Sequence, residues 1–141
     1  MTATLFIYLL ADALFYLSER GYDPLAVVAH AALESGWGQS ALFESYNNPW
    51  GISGCDVTFD TKEYINGEER ILKGTFSAYR SLLDAAIDYD RVIKTVYRIA
   101  YKHRNEPILY FLALKIEGYA TDPYYFQKLM KVYRQLKGGE L

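Results

Sequence analysis

Residues 29–40 read AHAALESGWGQS, and the fold follows from what this stretch is. Counting back from Glu34, Leu25, Val28, Ala29, Ala32 and Leu33 fall at i, i+3, i+4, i+7 and i+8, the spacing of an apolar stripe on one helix. The alanines keep that stripe thin, so neighbouring helices can approach closely, which suits a central, enclosed helix. Asp23 followed by Pro24 supplies an N-cap and a first-turn proline, while Gly36 and Gly38 supply the left-handed stop. Glu34 is therefore expected in the last turn, about 100° round from Leu33 and beside the stripe. There the negative end of the helix dipole disfavours a carboxylate. Burial near Trp37 acts in the same direction, which predicts a carboxyl that keeps its proton near neutral pH, as a general acid must.

Toward the C-terminus, Ala41 to Ser45 reads as a short helical turn and Asn47-Asn48-Pro49-Trp50-Gly51 as a loop, from its turn formers. Trp50 has two readings there: an indole in such a loop can stack on a sugar ring, and a tryptophan more commonly packs in a core. From Val57 the period changes to two, with Val57, Phe59, Thr61, Glu63 and Ile65 on one face. Asn66-Gly67 then signals a two-residue hairpin turn into a return strand of Glu68 to Phe76. That turn sets Ile65 opposite Glu68 and Glu63 opposite Arg70. Glu63 is then half of a cross-strand ion pair or a carboxylate hung over the cleft, and an Arg70 partner that holds it ionised makes both true at once.

Four blocks, ALESGWG preceded by small residues, NNPWGISG, TKEYING and YATDP, span roughly Leu17 to Leu136. In content and order they resemble the glucosaminidase domain of glycoside hydrolase family 73, the flagellar-muramidase-like peptidoglycan hydrolases. The resemblance implies a lysozyme-like fold and cleavage of the β-1,4 bond between N-acetylglucosamine and N-acetylmuramic acid. It further implies peptidoglycan glycan strands as the partner and a place of action at the cell wall, periplasmic or extracellular. On this basis Glu34 is the acid, Glu63 matches the hairpin glutamate to which a catalytic role is generally assigned, and Tyr119 lines the site, its hydroxyl able to hold the acetamido group. Trp50, Asn48, Trp37 and His30 are the candidate substrate-binding residues. Where Pro49-Trp50 stands, the family usually shows Leu-Phe.

The rest of the chain bounds these expectations. With 141 residues, 51% of them apolar and 23% charged, the sequence suffices for one core and reads as a single domain, 1–141. Cys55 is the only cysteine, so no intrachain disulfide forms, and His30 and His103 are too few companions for a zinc cluster. His30 and Glu34 are spaced i, i+4, as in some metal sites, but no third ligand is identifiable. The expectation is no metal and no cofactor, with His30 a hydrogen-bonded neighbour of Glu34 or a satisfied core residue. No phosphate loop or nucleophile elbow is present, and a net charge of −2 argues against nucleic acid as a partner. Charge is uneven: residues 1–90 hold five basic and thirteen acidic side chains, residues 91–141 ten and four. The basic C-terminal part is a solvated face or a docking surface for anionic wall polymer. Leu5 to Ala11 is apolar, but Asp12 interrupts a run far shorter than the ~20 residues of a membrane span. No Lys or Arg precedes Arg20, so the basic region of a signal peptide is missing. Thr4 to Ser18 is expected as an amphipathic helix ended by Gly21, in a monomer without stable membrane insertion.

Ser81 to Asp84 resembles a capping box that opens a helix to about Tyr101, with Leu83, Ile87, Val92, Val96 and Ile99 toward the core. Asn105 is expected to cap a helix from Glu106 to Glu117, and Asp122-Pro123 to start the last one, Pro123 to Leu136. The architecture expected is α+β and mostly helical, lysozyme-like, with a small β-hairpin lobe over a polysaccharide cleft. In it Glu34 protonates the leaving oxygen, and Glu63 activates water or stabilises an intermediate formed by the acetamido group. The competing class is a non-catalytic wall-binding or assembly module that kept the groove; the presence of both carboxylates argues against it.

Overall fold

The computed structural model describes residues 1–138. In chain order it runs α1 (Ala3–Leu9), α2 (Ala11–Glu19), α3 (Pro24–Ser35), α4 (Ala41–Tyr46), β1 (Ser53–Ile65), β2 (Glu68–Phe76), α5 (Leu82–Val96), α6 (Arg98–Lys102), α7 (Pro107–Ile116) and α8 (Tyr125–Gly138). The helix that carries Glu34 is α3. Its first turn is closed by the Asp23 carboxylate, which accepts the Ala26 N–H at 3.0 Å, and Gly36 ends it in the left-handed region at φ 58°. The single-stripe expectation needs correction: every residue from Ala26 to Ala32 is buried, whereas Leu25 is exposed and Leu33 half-buried. The reason is that α2, α7 and α8 all pack on α3, so nearly its whole circumference faces protein.

Two long helices expected from the sequence are broken. The first divides at Leu10 into α1 and α2, yet Phe6, Leu10, Ala13 and Leu17 stay buried across the break. The second ends at Val96, with Tyr97 (φ −108°, ψ 65°) joining it to α6. Its buried residues are Ala85, Ala86, Tyr89 and Ile93, while Leu83, Ile87, Val96 and Ile99 are exposed and Val92 is half-buried. The buried face of this helix is thus two alanines, a tyrosine and one isoleucine, with four of the five expected aliphatics exposed. Further on, Glu106 rather than Asn105 precedes α7, and α8 begins at Tyr125, two residues later than expected. Asp122 first closes a turn there: its carboxylate accepts the Tyr124 N–H at 2.8 Å and its carbonyl the Tyr125 N–H at 3.2 Å.

β1 and β2 pair antiparallel, with Ile65 opposite Glu68 and Glu63 opposite Arg70. This register is the one a two-residue turn dictates, and Asn66 and Gly67 adopt the required positive φ of 52° and 80°. Val57, Phe59, Thr61 and Glu63 are half-buried while Thr58, Asp60 and Lys62 are exposed, so the period of two survives as an inward face; it lapses at the tip, where Tyr64 is half-buried and Ile65, expected on the inward face, is exposed. β1 starts at Ser53, ahead of the alternating run, and an irregularity lies between Ser53 and Val57. Among the described residues, no helix is long and apolar enough to cross a membrane.

Candidate active site

A groove of about 410 Å³ runs between the hairpin and the helical body. Phe59, Thr61 and Glu63 form its hairpin wall, Tyr119 to Asp122 face them, and Glu34 and Gly51 lie between. It continues past Gly51, Ser53 and Tyr119 into a second hollow of about 290 Å³ lined by Arg91, Val92, Val96 and Tyr97. Glu34 lines the first of the two, against Gly51, which borders both.

The carboxyl of Glu34 is held on one side only. Oε2 accepts the Tyr125 hydroxyl at 2.5 Å, and Oε1 lies against Gly51, where a Cβ would come within 3.1 Å of it. Burial pushes the carboxyl up to about 7; the Tyr125 hydrogen bond opposes this and the charge of Glu63 adds to it. The direction matches the sequence expectation, but the wall is different. Trp37 does not line the groove; it adopts φ 58° and packs edge-on to Phe6, with ring centroids 6.1 Å apart. Tyr119, Tyr125 and Gly51 surround Glu34 instead.

Glu63 reaches the same groove from β1, held otherwise than expected. Its Oε2 accepts the Thr121 hydroxyl at 2.8 Å, and the Thr121 oxygen accepts the Tyr64 N–H at 2.9 Å. Arg70, its cross-strand neighbour, turns to Glu68 at 3.1 Å. Thr121 therefore ties the tip half of β1 to the loop before α8. Tyr119 lines both hollows, and its hydroxyl donates to the Trp50 carbonyl at 2.6 Å.

Besides Trp37, three more residues expected to touch substrate do not line the groove. Trp50 has 0% exposure; its indole N–H donates to the Val27 carbonyl at 3.1 Å, and its ring stacks on Tyr89 at 4.4 Å. Trp50 is a core residue and stacks on no sugar, because the indole is fully buried, with its N–H and a ring face engaged by protein. Asn48 is buried too, its amide donating to the Ile52 and Ser77 carbonyls at 2.9 Å each while its oxygen accepts the Ile52 N–H. It pins together the two roots of the hairpin rather than a ligand. His30 is fully buried, with Nδ1 2.6 Å from the Tyr89 hydroxyl and Nε2 2.9 Å from that of Tyr125. It is a satisfied core histidine one hydroxyl removed from Glu34. Sequence reasoning missed Tyr125, Thr121 and Gly51. Thr121 was within reach, since it belongs to the YATDP block; Tyr125 was one of fourteen tyrosines with no local mark.

Backbone and groove together define a domain of the peptidoglycan-hydrolase fold. Superposition on a peptidoglycan hydrolase mutant from Sphingomonas sp. A1 gives a TM-score of 0.79 at 30% identity, over 92% of this chain and 91% of that one. A C-terminally truncated glycoside hydrolase domain of Salmonella typhimurium FlgJ gives 0.72 at 32% identity, over 97% and 99%. The chain belongs to the glucosaminidase family: residues 11–138 match its model, described as mannosyl-glycoprotein endo-beta-N-acetylglucosaminidase. Among curated relatives, the peptidoglycan hydrolase FlgJ of Salmonella typhimurium is 35% identical over 130 residues, 84% of this chain and 41% of the relative. The exo-glucosaminidase LytG of Bacillus subtilis is 30% identical over 121 residues, 77% and 42%. The chain thus spans about two fifths of the length of these relatives.

Proposed function

We propose that this chain is an endo-β-N-acetylglucosaminidase that cuts peptidoglycan glycan strands between N-acetylglucosamine and N-acetylmuramic acid, with Glu34 as general acid. The observation that carries the reading is the pairing, across one groove, of a carboxyl held near pH 7 with a second carboxylate. A proton donor for a glycosidic oxygen must be protonated at working pH yet acidic enough to let go, and a value near 7 meets both needs. An internal cut is supported by the second hollow, which shares Gly51, Ser53 and Tyr119 with the groove and offers a strand space beyond the part that holds Glu34.

Glu63 takes the second role. One of its oxygens is fixed by Thr121, and Oε1 receives no hydrogen bond from a described residue, as suits a base that draws a proton from water. With its own hydrogen committed to Trp50, Tyr119 offers the groove a hydroxyl oxygen, which can accept from the acetamido N–H. A zymogram on purified peptidoglycan tests the reading directly. The wild type is expected to clear the gel and to leave new N-acetylglucosamine reducing ends, and Glu34→Gln to leave it opaque. Equal clearing by both proteins would remove Glu34 from the mechanism. Binding without clearing by the wild type would favour the non-catalytic wall-binding module.

A further inference from the structure

Behind Glu34, four buried side chains form a line that reaches the far side of the core. Tyr110 and Tyr89 hydroxyls are 2.5 Å apart, Tyr89 is 2.6 Å from His30 Nδ1, His30 Nε2 is 2.9 Å from the Tyr125 hydroxyl, and Tyr125 is 2.5 Å from Glu34 Oε2. The line has a free end: among the described residues the Tyr110 hydroxyl has Tyr89 as its one partner, and Tyr110 is fully buried. If Tyr110 did not donate to Tyr89, its hydrogen would have no acceptor, the expensive outcome for a buried hydroxyl. Each later bond is then forced. Tyr89 spends its own hydrogen on His30 Nδ1; His30, neutral because burial holds it down at about 3, carries its proton on Nε2 and gives it to the Tyr125 oxygen. Tyr125 in turn donates to Glu34. Bonds aligned head to tail polarise one another, so the direction is reinforced along the line.

We propose that this one-way chain makes His30 and Tyr125 positioning residues, which keep Glu34 Oε2 an acceptor and so place the carboxyl proton on Oε1, the oxygen that opens to the groove. Oε1 takes no hydrogen bond from a described residue and is not sealed from solvent. The inference rests on the reading of Glu34 as the acid and adds which oxygen delivers the proton. Titratable groups from every side face this carboxyl, namely Tyr125 on α8, Glu63 on the hairpin, Tyr97 between α5 and α6, and Tyr119. Tyr125 is the one that touches it.

The test has two arms. In a long-range proton–nitrogen spectrum of the histidine-labelled protein, His30 should read as the neutral Nε2–H tautomer throughout about pH 5 to 9, and also in Tyr125→Phe, because the Tyr110 end dictates it. An Nδ1–H tautomer, or a switch as Glu34 titrates, would overturn the proposal. In the second arm, Tyr125→Phe should lower kcat roughly 10- to 100-fold with KM within about twofold, as a misaimed catalytic group does. Its alkaline activity limb should move up, since the ionised carboxylate has lost a donor. An unmoved limb with unchanged kcat would also overturn it. Should Glu34→Gln stay active, the acid assignment has failed, while the histidine spectrum still reports on the chain.

Discussion

Gly51 holds its place against Glu34 by having no side chain: a Cβ there would stand 3.1 Å from Glu34 Oε1, and the backbone sits at φ +64°. Both facts bear on Gly51→Ala. The left-handed backbone costs a non-glycine residue about 1–2 kcal/mol, and the added methyl presses on the oxygen that faces the groove. The melting temperature should fall by several degrees, and kcat by roughly 100-fold through misplacement of the carboxyl. Unaltered turnover in a folded Gly51→Ala protein would show that Oε1 has room to spare.

The raised Glu34 makes a prediction about stability with a definite sign. Its value in the fold is about 7 against an ordinary 4.5, so between those two values the folded chain binds more protons than the unfolded one. Stability contributed by this group is then complete below about pH 4.5 and is lost as pH rises through 7. Glu34→Gln removes the titration. The variant should match or trail the wild type at pH 4 and exceed it at pH 8, by up to a few kcal/mol. Denaturant melts at the two pH values check this. A difference independent of pH would mean that Glu34 is not held near 7.

Trp50 belongs to the core, and its replacement should behave accordingly. Trp50→Ala empties the space against Tyr89 and removes the indole hydrogen bond to the Val27 carbonyl. Loss of a large buried aromatic costs roughly 3–5 kcal/mol, a large share of the stability of a domain this size. Trp50→Phe should cost less while still losing the hydrogen bond. A Trp50→Ala protein that melts like the wild type but binds glycan weakly would restore the sugar-contact reading.

What could be read from the sequence was what its local chemistry determines. Asp23-Pro24 and Gly36 bounded α3, and Asn66-Gly67 set the hairpin register to the residue, because caps and tight turns are decided by neighbours in the chain. The same local signals put Glu34 in the last turn of α3 and Glu63 on β1, whereas a chemical role for Glu63 came only with the family resemblance. The misses all depend on partners far along the chain. Trp50 and Asn48 sit in a stretch that looks like surface loop, and nothing nearby says that Tyr89 and Val27 enclose the one or that Ser77 meets the other. His30 looked like a neighbour of Glu34 by spacing, yet its bonds run to Tyr89 and Tyr125, 59 and 95 residues away. On α5 the count of aliphatics misled, because the buried face takes two alanines and a tyrosine beside Ile93.

The last prediction concerns how Glu63 is held. Thr121 donates to Glu63 and accepts from the Tyr64 backbone, so it fixes the carboxylate and the strand that bears it at once. Thr121→Val keeps the shape and removes both bonds. If Thr121 acts only through Glu63, the substitution should lower kcat in the wild type and do nothing further in Glu63→Gln, a non-additivity that a double-mutant cycle measures. Glu63→Gln itself should lose about as much as Glu34→Gln, within the ~10²–10⁴-fold that acid–base help is worth, and the product should form with inverted anomeric configuration. Retained configuration with a small Glu63→Gln loss would transfer the second role to the acetamido group of the substrate. Losses from Thr121→Val and Glu63→Gln that simply add would separate the two residues, leaving Thr121 as a tie between hairpin and body with no hand in the chemistry.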